Sequence, residues 1–234
     1  MTAPASEWLI AHRGWPARHP ENSLEGIRAV LAAGARQVEF DVQITADGRP
    51  VVVHDDDLRR LAGHGGRVTS MRLKEVTALQ LHSGARIPVL ERTLAAFDDH
   101  PGTTAFVELK RHSIDRLGVR RAVDAVCDRL LGANCDCVFL SFDRRAGALA
   151  RRRGLERIGW VIRHWSLRER MRALWLRPDY LFVRADRIPA GPHPFWRGRW
   201  KWVVYGVDTF DQARDWRDRG ATLVETDDLP GLLE

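Results

Sequence analysis

Short apolar runs recur along the chain at 8–13, 38–44, 105–110, 138–143, 157–163, 180–186, 202–208 and 221–227. Each is rich in branched or aromatic residues and mostly lacks a polar alternate. That pattern suits strands buried on both faces of a parallel sheet. A ninth run, 51–55, follows the turn signal Asp47-Gly48 and reads as a hairpin return after the second strand. Helix signals separate several of the runs. Residues 22–34 start at Asn22 or Ser23, carry Leu24, Ile27 and Leu31 on one face, and stop near Gly34. Residues 119–131 place Val119, Val123, Val126 and Leu130 along a stripe. Ser166 with Glu169 and Thr209 with Gln212 fit capping boxes. Residues 187–199, dense in Pro, Gly, Arg and Trp, predict an irregular loop. Eight buried strands with intervening helices predict an α/β fold, a (β/α)₈ TIM barrel, with a small insertion at about 56–90 over its mouth. No GxGxxG or P-loop pattern supports an open doubly wound sheet.

The length of 234 residues fits one such barrel and one domain. No apolar run approaches a membrane span. The N-terminus has no basic region followed by an apolar core, so the expectation is a cytoplasmic protein. The net charge of +6 invites a nucleic-acid partner, but the arginines are scattered among acids in helix-like segments, which argues against one. Cys127, Cys135 and Cys137 give neither a disulfide framework nor zinc spacing.

The chemistry gathers where the predicted strands end. Glu39 and Asp41 are two apart in one strand, so both face one side of the sheet. Glu108 and Lys110 repeat the spacing in the next barrel strand. Three carboxylates at the C-terminal ends of barrel strands make an oxygen nest for one hard divalent cation, Mg²⁺ or Ca²⁺. His12 and His54 stand beside them as a proton-transfer pair, and Arg13 and Lys110 are the cations that would neutralise phosphate. Metal-dependent phosphodiester cleavage is the reaction these groups suit.

The motifs HRG…PEN at 12–22, E-x-D at 39–41, the T-x-D-G hairpin ending in His54-Asp55 and E-L-K at 108–110 resemble the glycerophosphodiester phosphodiesterases. IPVLERTL, SFD at 141–143 and the closing ETDDLP extend the resemblance over nearly the whole chain. It implies hydrolysis of a small-molecule glycerophosphodiester to glycerol 3-phosphate and an alcohol. His12 and His54 would be the acid/base pair, with His12 the base, and Glu39, Asp41 and Glu108 the metal ligands. Arg13 and Lys110 would hold phosphate. Where the family often reads W-x-V-N, this chain has Tyr205-Gly206-Val207-Asp208, so Tyr205 would wall the glycerol and Asp208 replaces an amide. Trp196, Trp200 and Trp202 among arginines and a lysine suggest a weak membrane-surface contact through Trp196 and Trp200, although core filling is the stronger reading. A lysophospholipase D-like enzyme and a non-catalytic barrel binding acidic partners are the competing functions. The oligomeric state is left open.

Overall fold

A computed structural model describes residues 4–191 and 195–232. The strands are β1 (Leu9–Ala11), β2 (Gln37–Ile44), β3 (Pro50–Val52), β4 (Thr104–Leu109), β5 (Asp136–Ser141), β6 (Ile158–Val161), β7 (Tyr180–Arg184), β8 (Lys201–Tyr205) and β9 (Leu223–Thr226). All but β3 pair in parallel, in the order β1-β9-β8-β7-β6-β5-β4-β2, and a β1–β2 pairing (Ala11 with Val38) closes the ring. This is the expected (β/α)₈ barrel. β2 is buried over nearly its whole length, because helices cover its outer face and the barrel interior its inner face.

The helices are α1 (Leu24–Ala32), α2 (Arg59–Ala62), α3 (Leu73–Ala78), α4 (Leu90–Leu94), α5 (Arg111–Leu117), α6 (Val119–Leu130), α7 (Arg144–Arg152), α8 (Leu167–Leu176) and α9 (Phe210–Asp218). The cap of α1 is Ser23, whose Oγ accepts from Gly26 N at 3.0 Å; Asn22 is left for another task. α6 buries Ala122, Val123, Val126, Cys127 and Leu130. Each Val or Leu buried this way is worth about 1.5–3 kcal/mol, so Val126→Asp would break the packing. Asp143 caps α7 by accepting from Arg145 N. Between β7 and β8 the described residues hold a short 3-10 turn and no α-helix. The predicted loop at 187–199 is therefore irregular, with residues 192–194 outside the described ones.

β3 runs antiparallel to β2, pairing Val42 with Val52 and Ile44 with Pro50. The segment after it folds around its own apolar cluster, Val51, Val53, Leu58, Val68, Val76, Leu81 and Ile87, distinct from the barrel core. Inside the barrel, Phe106 meets Tyr180 and Phe182 edge-on at 5.0 and 5.8 Å. Gly159 leaves room for this layer: a Cβ there would lie 2.7 Å from Leu140 Cδ1. Above it, at the strands' C-terminal ends, lies the polar site.

Candidate active site

The chain turns sharply after β1. Arg13 (φ 51°) and Gly14 (φ 83°) both adopt left-handed backbone. A Cβ at position 14 would stand 2.9 Å from Ile27 N, so glycine alone fits there. His12 Nδ1 lies 2.6 Å from Asp227 Oδ1, and its Nε2 lies 3.9 Å from Glu39 Oε2. Arg13 Nε lies 3.0 Å from Asp41 Oδ2. Burial opposes the His12 cation, yet Glu225, Asp227 and Glu39 outweigh it and push the imidazole up to about 10.

Glu39 and Asp41 are both almost fully buried. Asp41 is held from three sides. Asn22 Nδ2 donates to its Oδ2 at 2.9 Å, Asp41 N donates back to Asn22 Oδ1 at 2.9 Å, and Lys110 Nζ lies 3.0 Å from Oδ1. Burial alone would raise this carboxyl, but Lys110 and Arg13 hold it well below the usual carboxylate range. Glu39 moves the other way. Burial, then the neighbouring Asp41 and Glu225, push it well above its ordinary value, and its Oε1 has no hydrogen-bond partner. Lys110 also lies 2.7 Å from Glu108 Oε1. Those two carboxylates keep it charged, with a raised pKa, despite burial.

His54 arrives on the hairpin. Val53 N donates to Asp41 O at 2.9 Å, which sets the imidazole level with the acids, and Gln43 Nε2 anchors His54 O at 2.9 Å. His54 Nδ1 lies 2.6 Å from Asp55 Oδ1. A rim network continues outward. Arg60, on α2, donates to Asp55 at 2.6 Å and to Glu21 at 2.6 and 3.1 Å, and Glu21 lies 3.4 Å from Arg13 Nη1. The segment after β3 is thereby tied to the rim beside the site.

His12, Arg13, Glu39, Asp41, His54, Glu108, Lys110 and Tyr205 all line one cavity of about 170 Å³. Leu140, Phe142, Val161 and Phe182 form its apolar side. Burial, then Glu108 and Glu225, push the Tyr205 phenol up to about 12, so it is neutral at physiological pH. Three participants were not anticipated. Glu225 faces the cavity from β9, and burial raises it to about 7. Asp227 holds His12, and Asn22 holds Asp41. Glu225 and Asp227 carry the same two-residue spacing as Glu39 and Asp41, at the end of the eighth run, so the signal was present. Asp208 is exposed, its N–H bonded to Gln212 Oε1, and does not line the cavity.

The tryptophan loop does not suit the membrane contact suggested for Trp196 and Trp200. Trp200 is buried, and the half-buried Trp196 packs 4.5 Å from the Trp165 ring. Trp202 Nε1 bonds Trp196 O at 3.0 Å. The rings are spent on one another and on the barrel wall.

A divalent cation fits this donor set. Glu39, Asp41 and Glu108 offer oxygens within 4.8 Å of one another, and His12, Glu39 and Glu225 form an overlapping group. The orphaned Glu39 Oε1 is a buried carboxyl oxygen lacking a hydrogen-bond partner, which a cation would satisfy. Among the residues lining the cavity, the four carboxyl side chains Glu39, Asp41, Glu108 and Glu225 outnumber the cations Arg13 and Lys110 by two. All-oxygen donors favour Mg²⁺ or Ca²⁺ over softer metals.

A sequence model of the glycerophosphoryl diester phosphodiesterase family matches residues 12–174, which hold every predicted site residue except Tyr205. The chain belongs to that family. Among curated members, it is 31% identical over 140 residues to glycerophosphodiester phosphodiesterase 1 of Bos taurus, covering 56% of this chain and 42% of that protein. It is 31% identical over 122 residues to a glycerophosphodiester phosphodiesterase of Bacillus altitudinis, covering 49% of this chain and 50% of that one. The chain thus spans about half the length of the curated relatives it matches. Solved members share the fold over the full barrel. An Oleispira antarctica phosphodiesterase in complex with its product sn-glycerol-3-phosphate superposes with a TM-score of 0.84 at 22% identity, over 96% of this chain and 94% of that one. A glycerophosphodiester phosphodiesterase from Parabacteroides distasonis gives 0.77 at 26% identity, over 98% and 95%.

Proposed function

We propose that this member hydrolyses glycerophosphodiesters to glycerol 3-phosphate and an alcohol, using one divalent cation, Mg²⁺ or Ca²⁺, with His12 and His54 as its acid/base pair. The observation that carries the reading is the convergence of two imidazoles on one carboxylate nest, each imidazole anchored through Nδ1 to an aspartate. Anchoring fixes the ring, so Nε2 is the atom left for proton transfer. Glu39, Asp41 and Glu108 would hold the cation, with Glu225 beside them. When bound, the cation supplies Lewis-acid polarisation of phosphate and lowers the pKa of the attacking hydroxyl.

The chain's own residues do the rest. Arg13 and Lys110 orient the phosphate oxygens. His12 Nε2 takes the proton from the glycerol 2-hydroxyl as its oxygen bonds phosphorus. The bond from phosphorus to the alcohol oxygen breaks, and His54 gives that oxygen a proton. Water then opens the cyclic phosphate with the proton traffic reversed, leaving glycerol 3-phosphate. Tyr205, as a neutral phenol, packs against the glycerol. The cavity's apolar side keeps a lysophospholipid as a second substrate reading.

The test is release of glycerol 3-phosphate from glycerophosphocholine after dialysis against chelator. Activity should vanish and return with Mg²⁺ or Ca²⁺, and His12→Ala or His54→Ala should each abolish it with the circular dichroism unchanged. Full turnover without cation, or near-normal rates in either variant, would defeat the proposal.

A further inference from the structure

Helix α8 presents an apolar stripe to solvent. Leu167, Met171, Leu174 and Trp175 are 71%, 58%, 44% and 69% exposed, and among the described residues Leu131 is the one other exposed large apolar side chain. Spacings of four, seven and eight residues from Leu167 put the four in one band of a helix. The opposite face, Glu169, Ala173 and Leu176, is buried against the barrel. The apolar residues of this helix are therefore turned away from the core.

Charge decides what covers the band. At 100° per residue, Arg168 and Arg170 fall on its two sides. Neither has a carboxylate within ion-pair distance among the described residues, nor has the nearby Arg163. The single acid of α8, Glu169, is buried and paired with Arg172 at 2.6 Å. A two-fold contact with a second copy would press these arginines against their own equivalents. An anionic surface would neutralise them while the aliphatic and indole groups leave water. Arginine stems also extend along an apolar layer with their heads in the headgroup region.

We propose that α8 is an interfacial helix that docks the protein on anionic phospholipid bilayers. It lies in the membrane plane, with Leu167, Met171, Leu174 and Trp175 inserted and Arg168 and Arg170 among the headgroups. On its barrel side, away from the stripe, α8 borders a groove through Glu169 and Arg172, and that groove shares Phe142 and Val161 with the cavity of the candidate site. The docking itself stands whether or not the proposed reaction is correct.

The test is co-sedimentation of the full chain with vesicles of phosphatidylglycerol mixed with phosphatidylcholine, and with phosphatidylcholine alone. The wild type should partition onto the anionic vesicles, weakly onto the neutral ones, and less at high salt. A Leu167→Ser, Trp175→Ser double variant alters only highly exposed side chains, so it should melt normally and lose partitioning at least tenfold. An Arg168→Glu, Arg170→Glu variant should lose about 25-fold or more, at about fivefold per basic residue near the surface. Failure of the wild type to bind anionic vesicles would overturn the proposal. So would equal binding by the serine variant, or a wild-type dimer in sedimentation velocity that the serine variant dissolves, which would assign the stripe to a second copy.

Discussion

Asn22→Ala should be among the most damaging single changes in this barrel, although Asn22 bears no charge and no proposed catalytic role. Its side chain is buried, and its backbone is left-handed, with φ 58°. Truncation removes a hydrogen bond to the ionised Asp41, worth about 1.5–3 kcal/mol, and strands the buried Asp41 N–H, at about 1–3 kcal/mol. Alanine at this φ adds about 1 kcal/mol of strain that asparagine largely escapes. A loss of about 4 kcal/mol results, a large fraction of a typical domain's stability. Asn22→Gly removes the same hydrogen bonds without the strain, so it should lose about 3 kcal/mol. Urea denaturation with chelator present measures both, with the slope m held constant across variants. A loss below about 1 kcal/mol for Asn22→Ala would refute the clamp on Asp41. Equal losses for alanine and glycine would refute the strain component alone. The clamp also aims a proposed ligand, so calorimetry should find weaker Mg²⁺ or Ca²⁺ binding in both variants.

Glu39→Gln should raise the melting temperature of the chelated protein, because it replaces a buried carboxyl whose ionisation burial, Asp41 and Glu225 oppose, and it should abolish stabilisation by added cation; a lower chelated melting temperature would contradict this. Glu225 sets a pH dependence. Its folded pKa of about 7 lies above its ordinary 4.5, so the stability it contributes is full below about 4.5 and lost as pH rises through about 7. At 1.36 kcal/mol per unit the loss is about 3 kcal/mol, His12 adds loss of the same sign up to about 10, and a Glu225→Gln variant whose chelated stability still falls equally between about pH 5 and pH 7 would exclude Glu225 as the source. Arg13→Ala should reduce kcat/KM for glycerophosphocholine by at least tenfold, and an unaffected kcat/KM would remove Arg13 from the phosphate.

The barrel was legible because parallel strands buried on both sides leave unbroken apolar runs, and eight of them survive in the sequence. The site was legible where period two places polar side chains together: Glu39 with Asp41, and Glu108 with Lys110. Glu225 and Asp227 carry the same spacing, yet nothing local says that the first and last strands adjoin; closure of the ring makes them neighbours of His12. Asn22 was hidden differently. Beside Ser23 it looks like a helix cap, and its partner Asp41 lies 19 residues away. The stripe on α8 was concealed by the rule that apolar periodicity marks a buried face, which here Glu169, Ala173 and Leu176 occupy instead. Trp196 and Trp200 misled through composition, which cannot register that the rings pack on Trp165 and Trp202.

The charge balance links these parts. The cavity gathers four buried carboxylates against Arg13 and Lys110, and the local pKa shifts respond by adding positive charge at His12 and resisting ionisation at Glu39 and Glu225. In that field alone, His12 stays protonated at neutral pH and has no free Nε2 lone pair with which to act as a base. A bound divalent cation, offsetting the nest by two positive charges, would both ionise the proposed ligands and return His12 toward neutrality. On that reading, cation affinity, the titration of His12 and the stability of the β1–β2–β9 rim would be one coupled equilibrium. Following the His12 ring resonances by NMR as Mg²⁺ is added would measure it directly: the imidazole pKa should fall as the site fills, and a His12 titration indifferent to saturating Mg²⁺ and Ca²⁺ would show that the carboxylate nest is not where the ion resides.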